Sequence, residues 1–353
     1  DDEIAIFLQS AYPKSVTALH NLEKARKAFG DKRQKLKEIM VMKEMPGLRE
    51  THILERGHYS NRGEVVGRAS PAVLPTFPQG EPINRLGLAK WLTSSDHPLM
   101  ARVTVNRYWQ MIFGSGLVST SEDFGMQGTP PTHPELLDWL ARDFINSGWN
   151  MHHLLKKMVL SHTYRQESKI LKFALEEDPE NLLLSRAPAY RLPAEMIRDG
   201  LLAHSGLLHK KTGGPGAKPY DLKVSFKPIN PDSAPNVYRR SVYTFWKRTA
   251  PTPVMMAMDA SKRDVCTVRR ERTESPSQSL IMLNSTQFVE TARASADTLV
   301  QTHGTNSPTL LIEDAFRSLT SRKPTDMERE ILLQLLEEQK AHFQDKKEAR
   351  KFL

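Results

Sequence analysis

Cysteine is almost absent from this chain of 353 residues, in which Cys266 is the single example. One thiol cannot form an internal disulfide, a cysteine-based structural zinc site or the C-x-x-C-H attachment of a covalent haem. We therefore expect no cofactor within this chain and predict no metal site. The scarcity of cysteine is also compatible with a location outside the cytoplasm.

Long apolar runs are missing as well. Runs such as 182–184 and 280–283 fall far short of the roughly 20 residues that span a bilayer, and the mean hydropathy is −0.49. We predict no membrane span. Because the chain begins with Asp1 and carries neither an initiator methionine nor a charged-then-apolar leader, we expect a processed product or an excised part of a longer protein.

The best-known catalytic motifs are absent too. The sequence contains no phosphate loop, no G-x-G-x-x-G dinucleotide fingerprint, no G-x-S-x-G nucleophile elbow and no H-E-x-x-H zinc motif. Motif reading alone therefore assigns no reaction, and whether the chain is an enzyme stays open.

Positive charge is in excess and partly concentrated. The net charge is +9, and the segment 239–272 holds nine basic residues against three acidic ones, a net of +6. Arg263, Arg269 and Arg270 lie shortly before a predicted helix start at Ser275, where free N–H groups and forked guanidinium donors suit an anion. The alternative is that these arginines pair with internal acids. Few aromatic residues are interleaved with them, which argues against nucleic acid.

Helical patterns dominate the sequence from residue 84 onward. Asn84 is a predicted cap for a helix that ends near Thr93, and a second helix is expected to end before Gly114. Further predicted caps are Thr132 with Glu135, Asn150, Ser275 with Gln278, and Thr325 with Glu328. Short strands are predicted at 51–59 and 239–246. The predicted fold is mainly α, a multi-helix globular domain with a few short strands and long irregular loops.

Three segments follow from this pattern. Residues 1–50 are predicted to be the helical tail of a missing upstream module, broken near Gly30. Residues 51–83 are predicted to form an extended linker with a short strand, since four prolines between 71 and 82 exclude a regular helix. Residues 84–345 are predicted to be the main helical domain, with a long irregular excursion at 210–237.

Several ordered motifs resemble one known family. They are Arg85–Leu92, Asn106–Trp109, Asp123–Gly125, Pro130–Trp139, Ser161–Arg165, Arg239–Trp246 and Pro276–Asn284. Over roughly residues 52–340 the chain resembles the uncharacterised C-terminal domain (PSD-one, a domain of unknown function) of planctomycete-type cytochrome c proteins. The resemblance implies a periplasmic or exported location, with a haem-bearing module upstream in the same polypeptide or in a partner protein. It carries no established reaction.

Candidate site residues come from two constellations. His133 is a candidate acid–base residue at a predicted helix start, and Glu195 and Asp199 share a helix face that also carries Arg198. That group is an acid–base pair or a buried network that joins its helix to the one with Arg107.

The candidate ligand-binding residues are all arginines: Arg107, Arg198, Arg240, Arg263, Arg269 and Arg270. The leading hypothesis is an extracytoplasmic domain that binds an anionic ligand, such as a charged polysaccharide, beside an electron-transfer module. It predicts an open basic surface. An oxidoreductase or hydrolase would instead bring His133, Glu195 and Arg263 into one pocket, and a structural or assembly domain would expose an apolar patch.

Overall fold

The computed structural model describes residues 3–4, 6–7, 13–36, 39–47, 49–220, 230–248 and 251–343. The chain divides into two compact units, residues 1–97 and residues 98–353, and each is described by itself. Within the predicted excursion at 210–237, residues 221–229 lie outside the described residues.

The first unit contains one long helix, α1, over Pro13–Lys35. The predicted break near Gly30 is wrong, because the helix continues through this residue. A glycine inside a helix costs only about 1 kcal/mol relative to alanine, and the lysine, arginine and alanine residues around it favour helix.

A two-stranded antiparallel sheet follows in the same unit. Strand β1, Thr51–Leu54, pairs with β2, Arg62–Val66. The predicted strand at 51–59 is therefore confirmed only in its first half, because the chain turns at Glu55–Gly57 to form a hairpin. The second strand was not predicted.

The last helix of this unit is α2, Arg85–Leu92. The side chain of Asn84 accepts hydrogen bonds from the backbone N–H groups of Leu86 and Gly87, which confirms the predicted cap. Buried Trp91 donates from its indole nitrogen to the carbonyl oxygen of Pro75 over 2.8 Å. This bond ties the proline-rich linker to α2.

The second unit is built from helices, which confirms the predicted mainly α fold class. They are α3 Met100–Phe113, α4 Pro134–Asn146, α5 Met151–Leu160, α6 His162–Arg165, α7 Lys172–Glu177, α8 Ala194–His204, α9 Pro253–Ala257, α10 Pro276–Asn284, α11 Thr286–His303, α12 Pro308–Thr320 and α13 Asp326–His342. None of the helices in the described ranges combines the length and apolar character needed to cross a membrane.

The main core lies where α3, α4 and α5 pack together. Val105, Trp109 and Phe113 recur every four residues along α3 and so share one face, which is buried. Leu140 and Phe144 of α4 have the same spacing and complete the contact. The core therefore fixes the position of the carboxyl-terminal end of α3.

Most predicted helix caps are confirmed. Asn150 accepts from the backbone N–H of His153, and both Ser275 with Gln278 and Thr325 with Glu328 form capping boxes. The helix that starts after Ser275, α10, ends at Asn284, and α11 begins at Thr286.

The predicted capping box of Thr132 with Glu135 is wrong. His133 is the residue that precedes α4, and its side chain does not cap the helix. Pro134 occupies the first helical turn and has no N–H to satisfy. The backbone N–H of Thr132 donates instead to the carbonyl oxygen of Leu117 over 2.9 Å.

The predicted strand at 239–246 is wrong too. Residues Ser241–Tyr243 form a short 3-10 turn, and the segment makes only isolated parallel bridges, from Arg239 to His209 and from Thr244 to Ala217. The backbone N–H of Ser241 donates to a side chain, the carboxylate of Asp199, so it is not available for a strand ladder.

Candidate functional site

A cavity of about 370 Å³ lies beside the carboxyl-terminal end of α3. Trp109, Phe113 and the loop that follows them form part of its wall, together with Tyr190 and Arg272. Roughly half of the lining comes from the segment 168–187. The volume falls at the small end of the range of about 300–1,000 Å³ that is usual for ligand pockets.

The loop after α3 is held by a buried amide. Asn106 is fully buried, and its side chain donates to the carbonyl oxygen of Val118 over 3.0 Å and accepts from the N–H of the same residue over 2.9 Å. An ideal Cβ on Gly116 would lie 2.5 Å from the carbonyl oxygen of Val118, so only glycine fits this approach. These contacts place the loop against the cavity.

Tyr190 and Arg272 form an aromatic and cationic pair at the cavity wall. The Tyr190 hydroxyl lies 2.9 Å from the carbonyl oxygens of Met111 and Ile112, to which it donates, and so completes the end of α3. The guanidinium carbon of Arg272 lies 4.1 Å from the centre of the Tyr190 ring. Burial raises the pKa of Tyr190, while the positive charge of Arg272 acts in the opposite direction.

Most N–H donors of the Arg272 guanidinium are not used in hydrogen bonds within the described residues. Its hydrogen bond is a long one, 3.4 Å from Nη1 to the carbonyl oxygen of Gly114. Within the part of the chain that the structure describes, no carboxylate pairs with Arg272. Its positive charge at the cavity wall is thus not neutralised by a neighbouring acid.

A second arginine in the lining is differently placed. Arg186 is buried, and its guanidinium donates to the carbonyl oxygens of Ala174, Asp178 and Pro179. The lining also includes one acid, Glu180. Two guanidinium groups against one carboxylate leave the cavity with a positive balance, which favours an anion over a cation.

The predicted cluster around Arg198 is a buried network. Arg198 is 2% exposed and donates to the side chains of Gln287 and Ser241 and to the carbonyl oxygens of Val237 and Arg239. The network reading is therefore supported, but its expected partner was wrong. Arg198 joins α8 to α11 and to the 237–241 segment, because its guanidinium reaches carbonyl groups there.

Asp199 belongs to the same network. Its Oδ1 atom accepts from the N–H and the hydroxyl of Ser241 over 2.8 and 2.6 Å. It also lies 3.4 Å from Nη1 of Arg198. Burial is the main influence on Arg198 and lowers the pKa of its guanidinium, whereas Asp199 acts in the opposite direction.

Other predicted residues are engaged in internal contacts. Glu195 forms an ion pair with Arg270 over 2.6 Å. The guanidinium of Arg263 lies 4.8 Å from the centre of the Trp246 ring and donates to the carbonyl oxygen of Thr244 over 3.3 Å. The structure thus brings Glu195 together with Arg270, and Asp199 together with Arg198.

The remaining predicted residues stand apart. Arg107, Arg240 and Arg269 are exposed. His133 is half-buried, and its Nδ1 lies 3.0 Å from the hydroxyl of Thr132, a residue of the cavity lining. None of the predicted catalytic and ligand-binding residues is itself part of that lining.

Sequence reasoning did not identify Asn106, Gly114 or Tyr190 as site residues. The motif Asn106–Trp109 and a helix-ending glycine at position 114 were visible signals, but neither indicates a cavity. Tyr190 lies in an irregular stretch without any pattern. Across the described residues, no group of three or more His, Cys, Asp or Glu side chains is placed to hold a metal ion.

These features define a mainly helical domain with a small, positively biased cavity at the end of a core helix. The chain belongs to the PSD1 family, described as a protein of unknown function (DUF1553), whose sequence model matches residues 84–336. No curated protein and no solved structure matches the chain significantly.

Proposed function

We propose that this domain binds an anionic ligand, such as a charged unit of a polysaccharide, in the cavity at the end of α3. The observation that carries the proposal is Arg272, a guanidinium that stacks on Tyr190 at the cavity wall and has no carboxylate partner within the described ranges. An arginine held by an aromatic ring keeps its forked N–H donors oriented, so it can grip a carboxylate or a sulfate.

The rest of the lining suits a polyhydroxylated ligand. Ser115, Thr132 and Ser168 contribute hydroxyl-bearing residues to a wall that also holds apolar side chains such as Trp109, Phe113 and Leu117. Pockets for small molecules combine such an apolar lining with a few polar groups that set orientation. A ligand of monosaccharide or disaccharide size fits this combination and the small volume.

The proposed site differs from the open basic surface expected from the sequence. Arg263 and Arg270, two arginines of the basic segment, are engaged with Trp246 and Glu195. Both arginines nevertheless remain exposed. Of the same basic segment, it is Arg272 that lines the cavity.

A location outside the cytoplasm, beside an upstream haem-bearing module or a partner protein, remains part of the proposal. Its support is the family resemblance of the motifs and the single cysteine, Cys266. Mass spectrometry of periplasmic and cytoplasmic fractions from the source cells tests it. Recovery in the cytoplasmic fraction alone would contradict the proposed location.

The experiment for the ligand is a thermal-shift titration with glucuronate and with a sulfated monosaccharide, at low and moderate salt. Glucose serves as the uncharged control. A ligand that binds only the folded state raises the melting temperature. We expect Arg272→Gln to weaken binding of glucuronate by at least about tenfold, because a hydrogen bond to a charged group is lost.

Two further variants locate the site. Lys262→Gln removes one exposed charge from the same segment and is expected to leave the titration unchanged. If Arg269→Gln abolished binding while Arg272→Gln did not, the ligand would bind the exposed basic surface and not the cavity. If no anion raised the melting temperature, the binding proposal would fail.

A second candidate, a structural or assembly domain, is favoured by one observation. Met327, Ile331 and Leu335 recur every four residues on α13, and all three side chains are exposed. Sedimentation analysis of Ile331→Glu against the unaltered chain tests this candidate. A loss of self-association in the variant would support assembly, whereas a monomer in both cases would remove this support.

The enzyme hypothesis stays a prediction. It expects His133, Glu195 and Arg263 around one pocket, and none of these three lines the cavity. The geometry therefore favours binding over catalysis.

A further inference from the structure

One wall of the cavity is a closed loop, residues 167–187, which we call the strap. Its two ends meet, because the N–H of Ala187 donates to the carbonyl oxygen of Glu167 over 2.9 Å. Beside this bond, the side chain of Gln166 donates to the carbonyl oxygen of Leu184 over 2.7 Å. Loops whose ends lie close together and whose side chains fill their own interior form compact units, as in Ω-loops.

The strap contains its own internal scaffold. Asp178 is 8% exposed, and its carboxylate accepts from the N–H groups of Leu182 and Leu183, each over 2.8 Å. The buried guanidinium of Arg186 binds carbonyl oxygens of α7 and of the turn after it. The side chain of Asn181 donates to the carbonyl oxygen of Arg186. These bonds hold the strap in one shape.

The strap is only weakly attached to the rest of the unit. For the described residues, every hydrogen bond made by residues 168–186 ends within 166–187. From the strap, Leu184 packs against the main core. A segment that is rigid inside and loosely attached outside is expected to move as one cooperative unit.

The strap also carries an unusual amount of exposed apolar surface. Its large exposed side chains are Ile170, Leu171, Phe173, Leu175, Leu182 and Leu183. Three of these, Ile170, Leu175 and Leu182, line the cavity. Covering exposed apolar surface removes it from water and lowers the free energy. Closure of the strap onto an occupant is therefore favourable.

We infer that the strap is a lid, which opens and closes over the cavity as one unit about its ends at 166–167 and 187–188. The role of the lid rests on the proposed function, since the ligand is what the lid would enclose. The opening motion itself is a property of the chain alone and is testable without any ligand.

The test is native-state hydrogen exchange followed by mass spectrometry, first without ligand. We expect the strap amides to exchange through one shared opening, at least about 100-fold faster than the amides of α3. Asp178→Asn removes a carboxylate acceptor and is expected to speed exchange about tenfold across the whole strap. Ser185→Ala, which removes a long exposed contact of 3.4 Å within the strap, is the matched control.

The second arm adds glucuronate, and exchange of the strap should slow while that of α4 does not change. Strap amides that exchange as slowly as α3, or an effect of Asp178→Asn confined to residues 182 and 183, would overturn the lid. A thermal shift by glucuronate with unchanged strap exchange would overturn the lid and leave the binding site standing. Cooperative opening without any thermal shift would support the hinged unit and contradict the proposed ligand.

Discussion

Two arginines of the second unit, Arg198 and Arg272, show how differently the same side chain is used in this fold. Arg198 is buried in a network whose acceptors occupy its Nε and both of its terminal nitrogens. Arg272 lies over the ring of Tyr190 at a cavity and makes one long contact to a carbonyl group. A guanidinium with all its donors engaged supports the structure, whereas one with unused donors is available to a ligand.

The comparison also shows that the arginines of the basic segment have different roles. Arg239 is 3% exposed and donates to the carbonyl oxygens of Lys211, Gly213 and Pro215. It therefore holds the glycine-rich loop together. A local count of positive charge includes such residues, although their charge is directed inward.

The largest expected effect on stability comes from substitution of the buried arginine, Arg198. Arg198→Met removes the donors for four acceptors and leaves Asp199 without its cationic neighbour. We expect the free energy of unfolding to fall by about 3–5 kcal/mol, as when one partner of a buried ion pair is removed. Urea denaturation measures the loss.

The exposed neighbour Arg240 is the control for that experiment. Arg240→Gln is expected to change the free energy of unfolding by less than about 0.5 kcal/mol, as surface substitutions usually do. Equal effects of the two substitutions would show that Arg198 is not a structural centre.

An intermediate effect is expected at the cavity. Gly114 has a φ of +87°, and an ideal Cβ on it would lie 2.9 Å from the ring of Tyr190. Gly114→Ala should cost about 1–3 kcal/mol, because a left-handed backbone strains an L side chain. It should also weaken binding of glucuronate, since Tyr190 and Arg272 must shift. Denaturation and the thermal-shift titration measure the two effects.

A second glycine provides the matched control. Gly200 lies within α8 with no atom near its missing Cβ. Gly200→Ala is therefore expected to stabilise the unit slightly, by up to about 1 kcal/mol. A loss of stability at Gly200 equal to that at Gly114 would contradict the proposed crowding at the cavity.

The smallest effect extends the comparison to a fully exposed arginine. Arg322 donates to Glu328, and this bond, together with the N–H of Thr325, lowers the pKa of Glu328 from 4.5 to about 2. A pKa lowered by folding adds stability above pH 4.5, and that stability is lost as the pH falls towards 2. We expect Glu328→Gln to lower the melting temperature at pH 7 and to have progressively less effect below pH 4.5.

Glu330 on the same helix is exposed and serves as the control for this pH series. Glu330→Gln should lower the melting temperature less at pH 7, and its effect should not fade below pH 4.5. The difference in melting temperature between Glu328→Gln and the unaltered chain should shrink as the pH falls. If it stayed constant from pH 7 to pH 2, the ion pair of Arg322 with Glu328 would not be its cause.

Local signals predicted the elements that depend on local bonds. Asn84, Asn150 and Thr325 cap helices as expected, because a cap is formed by a side chain and the N–H two or three residues later. The prediction failed at Thr132, whose N–H binds the distant Leu117. It failed again at 239–246, where a β-branched and aromatic pattern had no neighbouring strand to pair with.

The candidate site was less predictable than the fold. Glu195 and Asp199 were recognised as neighbours of Arg198, because residues three and four apart share a helix face. The ion pair of Glu195 with Arg270 joins positions 75 residues apart. No local pattern in the sequence indicates which of several arginines an acid will meet at such a separation.

By itself, the sequence determined the helical class, most of the helix caps, the absence of a disulfide framework and the motifs that mark the family. These properties follow from residue type and from spacings of a few positions. The tertiary structure alone decided that Asn106 fixes a loop, that Tyr190 completes the end of α3 and that Arg272 keeps its donors free. Each of these depends on which distant backbone groups meet in the folded chain, because a buried donor must find an acceptor wherever packing provides one.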